Sequence, residues 1–130
     1  MSIDRIRASH LTGEHAPAAV SGRLPHIGVL RFAGLDAVNF LQGQVSNDTR
    51  RLVECAPLLA AYSSAQGRVI AVLHLVPHSS GVIALLPRDV LAATCERLRK
   101  FILRAKVRIE DVSDRLAVTG ALGPDALRAA

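Results

Sequence analysis

An α+β fold, with helices packed on a mainly antiparallel sheet, is what this sequence predicts, and three observations carry it. Segments of strand length recur along the chain and are closed by Gly- and Ser-containing turns. Two of those turns are short, which suits antiparallel neighbours in a meander. One long segment, Arg88 to Leu103, instead places its apolar residues at helical spacing. The chain has 130 residues, half of them apolar. That length suits one domain with a true core.

Residues 1–25 carry His10, Gly13, His15, Pro17 and Gly22 with little periodicity. They read as a flexible lead-in, and residues 26–130 read as the patterned domain. Ile27 to Ala33 is a predicted strand closed by Gly34. Asp36 is placed to cap a short helix, Ala37 to Gln44, because its carboxylate can accept from the free amides of the first turn. Val38, Leu41 and Val45 follow at helical spacing. Ser46-Asn47-Asp48-Thr49 is a second cap-like cluster, where a short helix or turn can start.

Leu58 to Ala65 is the second predicted strand, Ala65-Gln66-Gly67 a turn, and Arg68 to Val76 the third strand. The third is apolar on both faces, with Val69, Ala71, Leu73 and Leu75 on one and Ile70, Val72 and Val76 on the other. Such a strand belongs in the middle of a covered sheet. Ser79-Ser80-Gly81 forms the next turn and Val82 to Leu86 the fourth strand. In the helix Arg88 to Leu103, the stripe Leu91, Cys95, Leu98 and Ile102 is widened by Thr94 and Phe101. Glu96 and Lys100 are spaced to pair on its outer side. Lys106 to Val112 alternates, with Val107 and Ile109 inward, and Arg115 to Ala121 is a further strand. Gly123-Pro124-Asp125 then opens a helix that the chain leaves after about two turns.

Composition removes several function classes. Phe32, Phe40, Phe101 and Tyr62 are the only rings, so the core must be aliphatic and extensive base stacking is disfavoured. The longest apolar run, Val69 to Val76, is far too short to span a bilayer. No apolar signal segment begins the chain. A reducing cytoplasm is therefore expected, with Cys55 and Cys95 as free, buried thiols. The formal net charge is +5. Arg97, Arg99, Lys100, Arg104, Lys106 and Arg108 fall close together, with Glu96, Glu110 and Asp111 beside them. A solvated face is the plain reading of that run, and a surface for an anion such as RNA phosphates is the sharper one.

No catalytic centre is visible, and no metal site is expected. His74 and His78 lie four apart on a strand and its turn, about 13 Å along an extended chain, too far for one ion. Phosphate-loop, dinucleotide and serine-elbow patterns are missing. Two segments remain. Phe40-Leu41-Gln42-Gly43-Gln44-Val45-Ser46-Asn47-Asp48 runs from a helix end into a polar stretch whose amides and hydroxyl could meet a flat ring rich in donors and acceptors. Ala61-Tyr62-Ser63-Ser64-Ala65-Gln66-Gly67-Arg68-Val69 brings two strands to a tight turn where backbone can approach a ligand or a neighbouring domain. The plainer reading gives Leu41, Val45, Tyr62 and Val69 to the core, Gln42 and Gln44 to the helix end, and Asn47 and Asp48 to the next turn.

These two segments resemble the amino-terminal domain of the YgfZ-type folate-binding proteins, relatives of the aminomethyltransferase (T-protein) of the glycine cleavage system. The resemblance extends over about Leu24 to Ala130. It implies the aminomethyltransferase type of folate-binding domain, an arrangement of three domains around a central folate pocket, and further domains of the same polypeptide beyond Ala130. It implies tetrahydrofolate or a derivative as cofactor, bound by Gln42, Gln44, Ser46, Asn47, Asp48, Tyr62 and Arg68. Nearby arginines such as Arg50 and Arg51 would attract the ligand's glutamate carboxylates. It also implies a cytoplasmic role in iron–sulfur cluster assembly or repair, or in tRNA modification. Iron–sulfur client proteins and tRNA are the implied partners, and no membrane is expected.

Two departures from the family pattern bound the reading. Where the T-protein carries a Gly-Gly-Ile-x-Asp-Asp segment, this chain has Gly67-Arg68-Val69-Ile70-Ala71-Val72. A methyl or isopropyl group cannot take a proton or hold a cationic amine, so Ala71 and Val72 argue against aminomethyl transfer. The Lys-Gly-Cys segment of YgfZ-type proteins is not in these 130 residues. The expectation is an accessory folate-binding protein. The alternatives are an aminomethyltransferase of the glycine cleavage type and an RNA-binding module that uses the Arg97–Arg108 stretch.

Overall fold

The computed structural model describes residues 20–54, 57–79 and 81–122. In chain order these form β1 (Val20–Arg23), β2 (Ile27–Ala33), α1 (Ala37–Gln42), a 3-10 segment (Thr49–Glu54), β3 (Leu58–Ser63), β4 (Val69–His78), β5 (Gly81–Pro87), α2 (Arg88–Arg99), β6 (Arg108–Asp111) and β7 (Thr119–Leu122). The α+β expectation holds. The residues fall into two units, His26–Ser113 and, around it in sequence, Met1–Pro25 with Asp114–Ala130. The predicted helix from Gly123 and the predicted buried thiol of Cys55 lie outside the described residues, as do the first nineteen residues of the lead-in.

In the larger unit, five antiparallel strands make one sheet in the order β3-β4-β5-β2-β6. β3, β4 and β5 are the predicted meander. β5 sits at the centre, and its five inner residues, Val82 to Leu86, are all buried. Alternate side chains there go to opposite faces. Val82, Ala84 and Leu86 join the main core with Leu30, Phe32, Leu73, Leu75 and Ile109. Val29, Ile83 and Leu85 are buried outside that cluster.

Its apolar composition on both faces predicts that β4 lies in the middle of the sheet. It is instead second from the edge. Ala71, Leu73 and Leu75 are core residues, but Val72 on the other face is 45% exposed, and Leu59 on neighbouring β3 is 55% exposed. A strand one place from the edge is covered on one face by the helices, while its far face stays open. Apolar composition on both faces does not decide which strand is central.

α2 lays Leu91, Thr94, Cys95 and Leu98 into the core, as its stripe predicted. Each leucine so buried contributes roughly 1.5–3 kcal/mol of transfer free energy. The helix stops at Arg99, short of the expected Leu103. The Phe101 and Ile102 amides then bond back only three residues, to the Leu98 and Arg99 carbonyls. That tighter turn leaves Ile102 partly buried against the core and turns Phe101 out to 57% exposure. No ion pair joins Glu96 to Lys100 among the described residues, against the spacing-based expectation.

Asp36 precedes α1 but its side chain does not cap the helix. The Lys106 amide donates to the Asp36 carboxylate at 2.6 Å, and the Asp36 amide donates to the Lys106 carbonyl. The carboxylate thus ties the start of α1 to the segment before β6 rather than to its own first turn. β6 continues its pairing with β2 through Ser113. Its hydroxyl accepts from the Val29 amide at 3.0 Å and donates to the Asp111 carboxylate at 2.6 Å, which also accepts from the Ser113 amide.

The smaller unit contains an antiparallel ribbon, β1 on β7, with Val20 opposite Leu122 and Arg23 opposite Thr119. The Leu24 amide adds a bond to the Val118 carbonyl. Residues 20–23, inside the stretch read as a lead-in, are therefore strand, and the predicted strand Arg115–Ala121 is shorter and later. The pairing comes from a segment about a hundred residues away in sequence, which local periodicity cannot register.

Two outcomes follow for stability. A Cβ at Gly81 would run into the Phe32 carbonyl oxygen across the β5–β2 ladder. Gly81→Ala should cost about 1–3 kcal/mol and Leu98→Ala about 2–5 kcal/mol, both read as urea midpoints. Asp111 gives a pH signature. Burial pushes its carboxyl up, but the Ser113 hydroxyl and amide and the Arg88 charge together outweigh this and hold it below the ordinary value. A carboxyl lowered by folding adds stability above its unfolded pKa of about 3.9, lost as pH falls through the lower folded value. The stability difference between wild type and Asp111→Asn should therefore be larger at neutral pH than in acid, measured by urea unfolding across that range.

Candidate functional site

The two segments singled out in the sequence come together in the fold. Val45 forms an isolated antiparallel bridge with Tyr62. The Ser46 amide donates to the Ala61 carbonyl at 3.0 Å, and the Ala61 amide donates to the Ser46 hydroxyl at 2.9 Å. Asn47 adds its amide nitrogen to the Leu59 carbonyl at 3.1 Å. β3 is an edge strand of the sheet. The polar loop thus satisfies backbone groups that an edge strand would otherwise present to another chain.

Three of the predicted ligand groups are engaged in this way. Ser46 and Asn47 serve the β3 edge, and the Asn47 side-chain oxygen also accepts from the Asp48 amide. The Gln42 side-chain oxygen accepts from the Thr49 amide at 2.7 Å and lies 2.9 Å from the Thr49 hydroxyl. That hydroxyl is also 2.8 Å from the Val38 carbonyl. Thr49 is fully buried, the polar hub that locks the end of α1 to the 3-10 segment. Sequence reasoning saw it only as one member of a cap-like cluster. A threonine seven residues after a helix-end glutamine carries no local signal of that tie.

Asp48 is held by Arg50 through two side-chain contacts, Nε at 2.8 Å and a terminal nitrogen at 3.0 Å. The Arg50 amide bonds the same carboxylate. These contacts, the guanidinium's first, keep the Asp48 carboxyl below its usual range. Both groups are exposed, so the pair adds little stability. Tyr62 is buried in the core and offers its ring to no ligand at the surface.

What remains open is the end of β3 toward the hairpin. With Val45 opposite Tyr62, the loop's course places Gln44 next to the Ser63 end of the strand. The turn that follows is closed by the Ser64 amide on the Arg68 carbonyl and by the Gly67 amide on the Ser64 carbonyl. Gln44 and Arg68 therefore share one end of the sheet edge. Gln44 is half-buried and makes no side-chain hydrogen bond among the described residues, and Arg68 and Arg51 are exposed. An amide that both donates and accepts can recognise a heteroaromatic ring edge, and an exposed guanidinium can recognise a carboxylate. Among the described residues no three His, Cys, Asp or Glu side chains group to hold a metal ion. Cys95 is buried, and burial above all pushes its thiol up, as expected of a small core residue.

No family model matches the chain. Curated relatives do. The tRNA-modifying protein YgfZ of Colwellia psychrerythraea is 31% identical over 103 residues, 79% of this chain and 32% of that protein. That of Edwardsiella ictaluri is 33% identical over 123 residues, 92% of this chain and 36% of the relative. Among solved structures, the glycine cleavage system aminomethyltransferase T from Bartonella henselae superposes with a TM-score of 0.70 at 16% identity, over 85% of this chain and 30% of that one. Over most of its length the chain is similar to YgfZ-type proteins, and its fold is that of the T-protein. The chain spans about a third of the length of the curated relatives it matches. Among the described residues no helix is long and apolar enough to cross a membrane.

The loop's structural share can be measured. Thr49→Val should destabilise by about 1–3 kcal/mol, since it removes the fully buried hydroxyl that the Val38 carbonyl and Gln42 oxygen face. Ser46→Ala should leave the fold intact yet speed hydrogen exchange at the Ala61 amide, read by NMR.

Proposed function

We propose that this chain contributes one wall of a tetrahydrofolate site in a protein that supports tRNA modification, by way of iron–sulfur cluster assembly or repair. The observation that carries the reading is the match to curated proteins named for tRNA modification, over most of this chain's length. The T-protein fold supports the folate part. In this reading Gln44 meets the pterin edge, and Arg68 and Arg51 meet the glutamate carboxylates. Gln42, Ser46 and Asn47 shape the loop, because their side-chain groups are already bonded within the protein. Asp48 neutralises Arg50 and so leaves Arg51 and Arg68 as the cations for the ligand.

Aminomethyl transfer is not part of the proposal. Ala71 is a core residue and Val72 stands on the open face of β4; neither side chain can move a proton. Iron–sulfur client proteins and a cytoplasmic setting belong to the same proposal.

Millimolar tetrahydrofolate titrated into the chain should shift the backbone NMR signals of Gln44, Arg51 and Arg68, with weak affinity on the order of a millimolar. Gln44→Ala should weaken binding by roughly threefold to tenfold, the worth of one neutral hydrogen bond. Signals that stay in place, or shifts that Gln44→Ala leaves unchanged, would remove the folate part of the reading.

A further inference from the structure

The segment from the end of α2 to the start of β6 carries a feature that the folate reading does not use. Arg97, Lys100, Arg104 and Lys106 are all exposed. Among the described residues none of the four has a carboxylate within ion-pair distance. The two other cations of this run are committed. Arg99 donates to the Ile109 carbonyl at 2.7 Å, and Arg108 pairs with Glu110 at 2.9 Å.

A ring lies within the same strip. Of the chain's four aromatic side chains, Phe32, Phe40 and Tyr62 are buried at 7% exposure or less, while Phe101 is 57% exposed. Arg97, Lys100 and Phe101 lie within five consecutive residues across the end of α2, and all three are exposed. Solvent exposure of an aromatic ring, flanked by unpaired cations, is not what a merely solvated helix end requires. Leu103 beside it is 87% exposed.

The strip is also held in shape. Leu98 anchors it in the core and the Arg99 guanidinium ties it to β6. At its far end, the Lys106 backbone is clamped on both sides by Asp36. The backbone that spaces the four cations is thus fixed at both ends, and little ordering is left for a ligand to bring about.

We infer that this strip binds the backbone of single-stranded or looped RNA, with Arg97, Lys100, Arg104 and Lys106 on phosphates and Phe101 stacked on an unpaired base. Cations neutralise phosphates without reading sequence, and a single exposed ring adds a stacking platform that any base can use. The choice of RNA over other polyanions rests on the tRNA-modification reading above.

The test is fluorescence anisotropy of a labelled RNA of about 12 nucleotides, within the usual range for such sites, titrated with the whole chain across a salt series. Four phosphate contacts predict a slope of log affinity on log salt near −3. Substituting the set Arg97→Gln, Lys100→Gln, Arg104→Gln and Lys106→Gln should remove most of that slope. Phe101→Ala should weaken binding about tenfold and leave the slope unchanged. The control set Arg50→Gln, Arg51→Gln and Arg68→Gln should change the slope little. All the substituted side chains are exposed, and circular dichroism checks that each variant is folded.

An equal loss in the control set would mean unspecific charge and overturn the surface. So would Phe101→Ala without effect, or a wild-type chain that binds phosphatidylserine vesicles but not RNA. Tetrahydrofolate titration separates the two readings. RNA bound at the strip with no folate response upholds the surface and removes the folate site; folate bound with no RNA response does the reverse.

Discussion

The architecture depends on the burial of β5 along its whole length. Five consecutive side chains, Val82 to Leu86, are out of water, and a strand can be so placed only with a neighbour on each edge and cover on each face. β4 and β2 supply the edges. Gly81 at the strand's start lets the Phe32 backbone approach closely enough to hold that register. With almost no aromatic volume, the core is filled by Leu, Ile, Val and Ala, plus Phe32, Phe40 and Tyr62. Removing any of the large aliphatic groups leaves a void that small neighbours cannot close.

From that centre, the polar loop after α1 becomes intelligible. An antiparallel sheet of five strands has two edges, and here they are β3 and β6. The loop covers part of β3 through Ser46 and Asn47, and Thr49 fastens the loop to α1. The same residues that looked like ligand groups in the sequence are therefore edge covers first. Their fixed hydrogen bonds place Gln44 beside the hairpin. A rigid loop that presents one uncommitted amide is a sound base for recognition, because positioning needs a scaffold that does not itself rearrange.

The charges divide in a similar way. Asp111 is spent on Ser113 two residues on, while Asp36 and Arg99 are spent on backbone groups of segments farther along the chain. Such bonds fix where chain segments cross. Arg68 at the hairpin and Arg97, Lys100, Arg104 and Lys106 along the end of α2 carry no ion pair among the described residues and are available to anions. They fall into two regions, the proposed folate wall and the proposed phosphate strip.

The sequence by itself determined the α+β class, the strand over Ile27–Ala33, the meander, and the buried stripe of α2, because each is written in local periodicity. It also carried the family likeness, through the segments from Phe40 to Asp48 and from Ala61 to Val69. Only the tertiary structure decided that β5 rather than β4 is central, that Asp36 serves Lys106 rather than α1, that Val20–Arg23 pairs with Thr119–Leu122, and that Ser46, Asn47 and Thr49 are committed internally. Each of these is a pairing between residues separated in sequence. A side chain's pattern states what it can bond or bury, while the partner that claims it is set by which segments the packed sheet brings within reach.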